Sequence, residues 1–218
     1  MSPLDDRTAP GTAGEATGAG CGLYLISPPE VEAGIFAPGL EAALAAGGAV
    51  AFLLRPTHKP HGATHAAAHD LRRICAGRVA FLLQDDLDLA LSLGADGVHL
   101  GDPAKVREAR ARLGPDRLLG ASCGGSRHAA MLAGDDGADY IAFGEVGRPP
   151  QPPLLELVAW WNELFVLPCL VEGAFDGGSL GSVARAGADF IGVSDEVWRH
   201  PDGAAAGMHA ARVAITGA

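Results

Sequence analysis

The sequence predicts an α/β protein folded as one (β/α)8 TIM barrel, and three observations carry that expectation. From Cys21 onwards, short β-branched or Leu-rich runs alternate with Ala-rich stretches of helical length, the pattern of successive βαβ units. Eight such runs can be counted, each followed by a helical stretch, which is the tally of a closed barrel. A Gly-Ala-Asp phrase also recurs, as Gly94-Ala95-Asp96-Gly97-Val98, Gly137-Ala138-Asp139-Tyr140-Ile141 and Gly187-Ala188-Asp189-Phe190-Ile191, 43 and then 50 residues apart. Each occurrence reads as a helix stop followed by a strand start. Gly can take the left-handed conformation that closes a helix, and Asp can bond turn amides before an apolar strand begins. The spacing matches two βα units, so the phrases open the fourth, sixth and eighth strands. A flavodoxin-like or Rossmann sheet would need fewer strands and usually an early Gly-rich turn, and no G-x-G-x-x-G is present.

In order, the expected strands are Leu23 to Ser27, Ala49 to Arg55, Val79 to Asp85, Gly97 to Leu100, Leu118 to Cys123, Tyr140 to Val146, Pro168 to Gly173 and Phe190 to Ser194. The intervening helices are expected near 38–46, 63–76, 86–93, 103–113, 126–136, 154–165 and 178–186, with a last one near 203–215. Residues 1–20, rich in Gly, Ala, Thr and Pro, read as a disordered N-terminal tail, and 21–218 as the barrel domain. A single domain of about 200 residues is ordinary for an α/β barrel.

Composition removes several function classes. Sixteen Lys plus Arg against 26 Asp plus Glu leave a formal charge of −10, and only Lys59 and Lys105 are lysines, so no basic stripe exists to track nucleic acid. The longest apolar run, Ala42 to Leu54, has 13 residues and is broken by Gly47-Gly48, short of the roughly 20 that span a bilayer. Met1 to Gly20 carries Asp5, Asp6 and Glu15 and no apolar core of a signal peptide. The four cysteines, Cys21, Cys75, Cys123 and Cys169, show no C-x-x-C spacing, so reduced thiols in a cytoplasm are the expectation. A homo-oligomer is compatible with the sequence and is not specified by it.

In a barrel of this class, function sits where strands end and βα loops begin. Read in order, those ends are Ser27, Arg55, Gln84-Asp85-Asp86, Gly101-Asp102, Ser122-Cys123, Glu145, Glu172-Gly173 and Ser194-Asp195-Glu196, polar tips on apolar strands. Asp85 and Asp102 end neighbouring strands, a pattern that suits Mg²⁺, which takes one or two carboxylates, waters and substrate phosphate oxygens. The competing reading is that Asp86 or Asp102 caps the following helix. Arg55 ends an apolar strand, where a guanidinium requires an anion or an acid facing it. Gly173 and Ser194 end the seventh and eighth strands, where many barrels hold a phosphate on backbone N–H groups. His61, His65 and His69 would share one helical face, which reads as solvated, and Trp160-Trp161 reads as packing against the barrel.

These residues bring the chain to a known family: it resembles the thiamine phosphate synthases and their relatives the thiazole tautomerases. The likeness spans about residues 21–203. It is close in Gly94 to Gly101, Ser126-Arg127-His128, Gly137 to Gly144, Ala159 to Phe165 and Gly187 to Phe190. It implies a Mg²⁺-dependent transferase of thiamine biosynthesis that joins hydroxymethylpyrimidine diphosphate to thiazole phosphate. The diphosphate leaves, a pyrimidine carbocation forms and the thiazole nitrogen attacks it, so catalysis is charge stabilisation and positioning. Carried over position by position, the resemblance implies Arg55 and Ser122 in catalysis and Arg55, Gln84, Ser122, Gly173 and Ser194 in substrate binding, with Arg148 expected to stand in for a family lysine that is missing here. Asp85 keeps the family's metal carboxylate, the second metal Asp is replaced by Ala104, and Asp102 is expected to reach the same ion.

Several family positions differ. The Gln before Arg55 is Leu53, the expected Lys falls on Thr57, and the Gly-Gln-Glu-Asp after the fourth strand reads Gly101-Asp102-Pro103-Ala104. The Pro-Thr-x-Thr-Lys after the sixth strand is Arg148-Pro149-Pro150-Gln151-Pro152, so its hydroxyls and lysine are absent and Arg148 is the cation nearby. Asp195-Glu196 follow Ser194, and carboxylates beside a phosphate nest repel the ligand unless turned away or neutralised. The sequence therefore carries three functions: the synthase, a tautomerase-like proton transfer using Glu145 as a partly buried acid/base, or a non-catalytic barrel binding a thiamine-related ligand or a partner protein.

Overall fold

The computed structural model describes residues 20–55 and 61–217. The expected tail up to residue 19, Thr57, Lys59 and the side chain of His61 lie outside the described residues. Eight parallel strands close in sequence order into one barrel. They are β1 (Gly22–Ile26), β2 (Ala49–Leu54), β3 (Ala80–Gln84), β4 (Gly97–Leu100), β5 (Leu118–Gly124), β6 (Tyr140–Gly144), β7 (Cys169–Glu172) and β8 (Phe190–Val193). The helices are α1 (Ala33–Ala46), α2 (His61–Cys75), α3 (Leu87–Leu93), α4 (Val106–Leu113), α5 (Arg127–Asp135), α6 (Pro152–Leu164), α7 (Gly177–Arg185), α8 (Asp195–Trp198) and α9 (Ala204–Thr216).

Two elements depart from the sequence reading. Helix α1 begins at Ala33 and carries Pro38 inside it. Ile35 and Phe36 donate to the Glu32 carbonyl, so the first turn is already wound when the proline arrives. Helix α8 is a single turn of four residues after β8, too short to leave a 3.6-residue period in the sequence. It is anchored by Trp198, whose indole Nε1–H donates to the Ile26 carbonyl at 2.6 Å.

The strands read as unbroken apolar runs because both of their faces are buried. Outward residues such as Leu23, Leu25, Phe52, Leu54, Phe81, Leu83, Ile141 and Phe143 pack into the layer shared with the helices. Tyr24, Ile26, Ala51, Leu53, Leu82, Tyr140, Ala142 and Leu170 form a separate inner cluster that fills the barrel. With a side-chain period of two, the next inward positions on β2, β3 and β7 are Arg55, Gln84 and Glu172. Parity thus delivers polar residues to the lumen just above the apolar plug.

The recurring Gly-Ala-Asp phrase does open β4, β6 and β8, and its glycines have φ of 63°, 101° and 95°. Its aspartates bond elsewhere than the sequence reading placed them. Each one grips the preceding strand. Asp96 donates its N–H to the Phe81 carbonyl and accepts the Phe81 N–H at 2.7 Å. Asp139 does the same to Leu119 (2.7 Å), and Asp189 to Cys169 (2.8 Å). A carboxylate on a backbone N–H is a charge-assisted bond, so the repeat stitches β3 to β4, β5 to β6 and β7 to β8 at their starts.

Candidate active site

A chain of hydrogen bonds crosses the lumen on top of the apolar plug. Tyr24 on β1 bonds Tyr140 on β6 through their hydroxyls at 2.8 Å, and Tyr140 reaches His99 Nδ1 on β4 at 2.9 Å. His99 Nε2 meets Ser122 Oγ on β5 at 2.8 Å, and Ser122 donates to Glu172 Oε2 on β7 at 3.2 Å. Gly120 makes room for this floor, since a Cβ there would overlap the Tyr140 ring. His99 and Glu172 are 1% and 6% exposed.

The direction of the chain follows from counting protons. Ser122 donates its single O–H to Glu172 and so must receive from His99, whose Nε2 therefore carries the hydrogen. Nδ1 is then a lone pair that accepts from Tyr140, which accepts from Tyr24. Burial drives the His99 pKa below its ordinary value; the Glu172 charge opposes that shift and Arg55 adds to it. Burial likewise pushes both tyrosines up, so the hydroxyls stay protonated.

Around this floor the sequence-expected residues divide into those at the lumen and those on the rim. Arg55 follows β2 half-buried, and its main-chain N–H donates to Ser27 Oγ at 2.9 Å. No acid of the described residues pairs with it, so of the two expected partners, an anion or an acid, the acid is not found, and its buried Nε has no hydrogen-bond partner. Asp85 is a non-glycine residue at φ 55°, a conformation sustained only where surroundings hold it. What holds it here is the Gly101 N–H, donated to Oδ1 at 2.8 Å; Gln84 Nε2 stands 3.4 Å from Oδ2. Asp86 caps α3 through the Leu89 N–H, and Asp102 accepts from Ala104 N–H, so both perform the capping alternative.

At β6 to β8 the acids sort themselves. Glu145 is 62% exposed and pairs with Arg148 at 3.1 Å, so it lacks the partial burial that the acid/base role requires, and Arg148 is already matched. Asp195 points outward to Arg199 at 3.3 Å. Glu196 turns inward onto backbone: it accepts the Phe175 N–H at 2.6 Å and the Ser194 N–H at 2.9 Å. The Ala174 N–H is spent on the Arg148 carbonyl. Three amides beyond β7 and β8, where barrels commonly cradle a phosphate, therefore have internal acceptors. Gly173 is buried, and a Cβ there would crowd the Phe175 ring and the Arg148 carbonyl.

His65 and His69 are exposed on α2, and among the described residues no group of three His, Cys, Asp or Glu is placed to hold a metal. Trp161 is buried, stacks on Phe165 and donates to the Leu167 carbonyl, while Arg127 lies over Trp160, so both indoles pack as expected. The four cysteines are free, and burial pushes each thiol up to about 12. Sequence reasoning gave no role to Tyr24, His99 or Tyr140. Their signal was present as polar residues of inward parity inside otherwise apolar strands.

The chain is similar to known proteins over most of its length. The family model described as thiamine monophosphate synthase matches residues 23–197. The chain is 42% identical over 195 residues to a thiamine-phosphate synthase of Rhodospirillum centenum, covering 86% of this chain and 94% of the relative. It is 42% identical over 204 residues to one of Erythrobacter litoralis, covering 88% and 95%. The fold superimposes on a thiamine phosphate pyrophosphorylase from Pyrococcus furiosus with a TM-score of 0.76 at 26% identity, over 89% of this chain and 95% of that one.

Proposed function

The chain belongs to the thiamine monophosphate synthase family, and from that premise we propose that it forms thiamine phosphate from hydroxymethylpyrimidine diphosphate and thiazole phosphate. The observation that carries the proposal is Arg55: a guanidinium at the end of β2, beside the polar floor, with a buried Nε lacking a partner. A diphosphate is the anion that would satisfy it. In the reaction the C–O bond to the diphosphate breaks with its electron pair leaving on oxygen, and the thiazole nitrogen lone pair forms the new C–N bond. No proton need move at the reacting atoms, so the residues bind and orient. Arg55 opposes the charge of the leaving group, and Ser122 and His99 present the floor on which the pyrimidine ring rests.

Asp85 has the features of a Mg²⁺ ligand: an exposed hard-oxygen carboxylate held by the Gly101 amide through one oxygen, with the other directed only toward a weak contact from Gln84. Asp102 could add an oxygen not used in its cap. When bound, Mg²⁺ supplies neutralisation of the diphosphate's charge.

The test is the condensation assay with purified protein and both phosphorylated precursors, with and without Mg²⁺. Product should form only with the metal, and Arg55→Ala and Asp85→Asn should each lower kcat/KM by about 10²–10³. Absence of product together with failure to rescue a synthase-deficient strain rejects the reading. One observation favours a second one: the Glu196 carboxylate on the Phe175 and Ser194 amides suits a barrel that binds a related ligand without turnover. That reading requires thermal stabilisation by a pathway compound in the absence of product.

A further inference from the structure

Among the described residues, Glu172 is a buried charge of the lumen with few donors. The residue is 6% exposed, yet among the described residues its carboxylate, with about four lone-pair sites, receives one hydrogen bond, from Ser122 at 3.2 Å. His99 Nε2 lies 3.7 Å from Oε1 but spends its hydrogen on Ser122, and no arginine or lysine of the described residues pairs with Glu172. A buried carboxylate so poorly supplied is costly unless something else donates to it. Its position is fixed by inward parity on β7 and by a tight contact at the neighbouring strand, where Gly144 at φ 90° leaves no space for a Cβ against the Glu172 carbonyl.

Arg55 presents the complementary want on the far side of the lumen. In the closed strand order β7 and β2 are separated by β8 and β1, and no ion pair joins the two residues. One mouth thus holds an acceptor short of donors and a cation short of an anion. Contact between them would have satisfied both.

We propose that Glu172 is a specificity-determining residue that reads an N–H donor edge on the heterocycle, so that the barrel selects an amino-substituted ring whose anionic substituent reaches Arg55. This rests on the proposed synthase reading and sharpens it: the aminopyrimidine half lies across the floor with its amino group at Glu172 and its diphosphate toward β2. A ring lacking the amino group leaves Glu172 as short of donors as in the free protein, and a site built to hydrogen-bond a donor rejects analogues without it.

The experiment is isothermal titration of the full chain with the aminopyrimidine alcohol and with the same ring carrying hydrogen in place of the amino group, neither of which can react. The expected result is at least about tenfold tighter binding of the aminated ring. The ratio should fall toward one in Glu172→Met and lie between in Glu172→Gln, whose neutral amide is a weaker acceptor. The ratio is the readout because general damage weakens both ligands alike, and if Glu172→Met does not fold, Glu172→Gln decides. A ratio near one in the unaltered protein, a ratio preserved in the folded variants, or no binding of the aminated ring overturns the proposal. A failed condensation assay with the ratio intact rejects the synthase reading and leaves the role of Glu172 standing. A working assay with the ratio unmoved by substitution does the reverse.

Discussion

His99 occupies the middle of a one-way hydrogen-bond chain, and its neutrality has a measurable consequence. Burial holds its folded pKa below the ordinary imidazole value of 6.5, whereas the unfolded ring titrates near that value. Between the two values the unfolded state binds more protons, so stability rises with pH there. The contribution is complete above about pH 6.5 and is lost as pH falls through the folded value. Denaturant midpoints should therefore drop between pH 7.5 and pH 5.5, and the drop should shrink in His99→Gln; an identical slope in that variant contradicts the assignment. Nitrogen chemical shifts of the ring should show hydrogen on Nε2. The sequence displayed His99 within the Gly94 to Gly101 phrase but not its partners, because Tyr140 and Ser122 reach it through strand register across the barrel.

At the scale of elements, the Gly-Ala-Asp repeat was legible as punctuation and illegible as stitching. A glycine that closes a helix is a local matter of φ. That Asp96, Asp139 and Asp189 clasp Phe81, Leu119 and Cys169 depends on the preceding strand lying alongside. Replacing each by alanine removes one carboxylate bond to a strand N–H, and at Asp139 also its ion pair with Arg110, so we expect a loss of about 1 kcal/mol in chemical unfolding at Asp96 and Asp189 and a larger one at Asp139. The three losses should be nearly additive, since the clasps share no partner, and ligand affinity at the opposite end of the barrel should not change. A marked loss of binding without loss of stability would show that the repeat serves the site. Helix α8 escaped the sequence reading for a related reason: one turn is too short to show a period, and what holds it is the Trp198 bond to Ile26.

For the whole molecule, the formal charge of −10 shapes encounter with any anionic ligand. Arg148 and Arg199 at the rim are matched by Glu145 and Asp195, so they do little to offset that field. Association of a phosphorylated ligand should accordingly quicken, or stay level, as salt rises from about 10 to 150 mM and the screening length falls from about 30 to 8 Å. Stopped-flow rates that fall steeply with salt contradict that expectation.

The sequence by itself determined the barrel, its eight strands and the polar tips at their ends, because hydrophobic period and helix stops are properties of neighbouring residues. Only the tertiary structure decided which acids serve the lumen. Glu145, Glu172 and Glu196 are alike as letters, yet one pairs with Arg148 in solvent, one is buried at the floor, and one fills two backbone amides, including that of Phe175 on another loop. Strand parity and the amides that distant loops bring within reach set those fates, and neither is encoded in the run of residues around each acid.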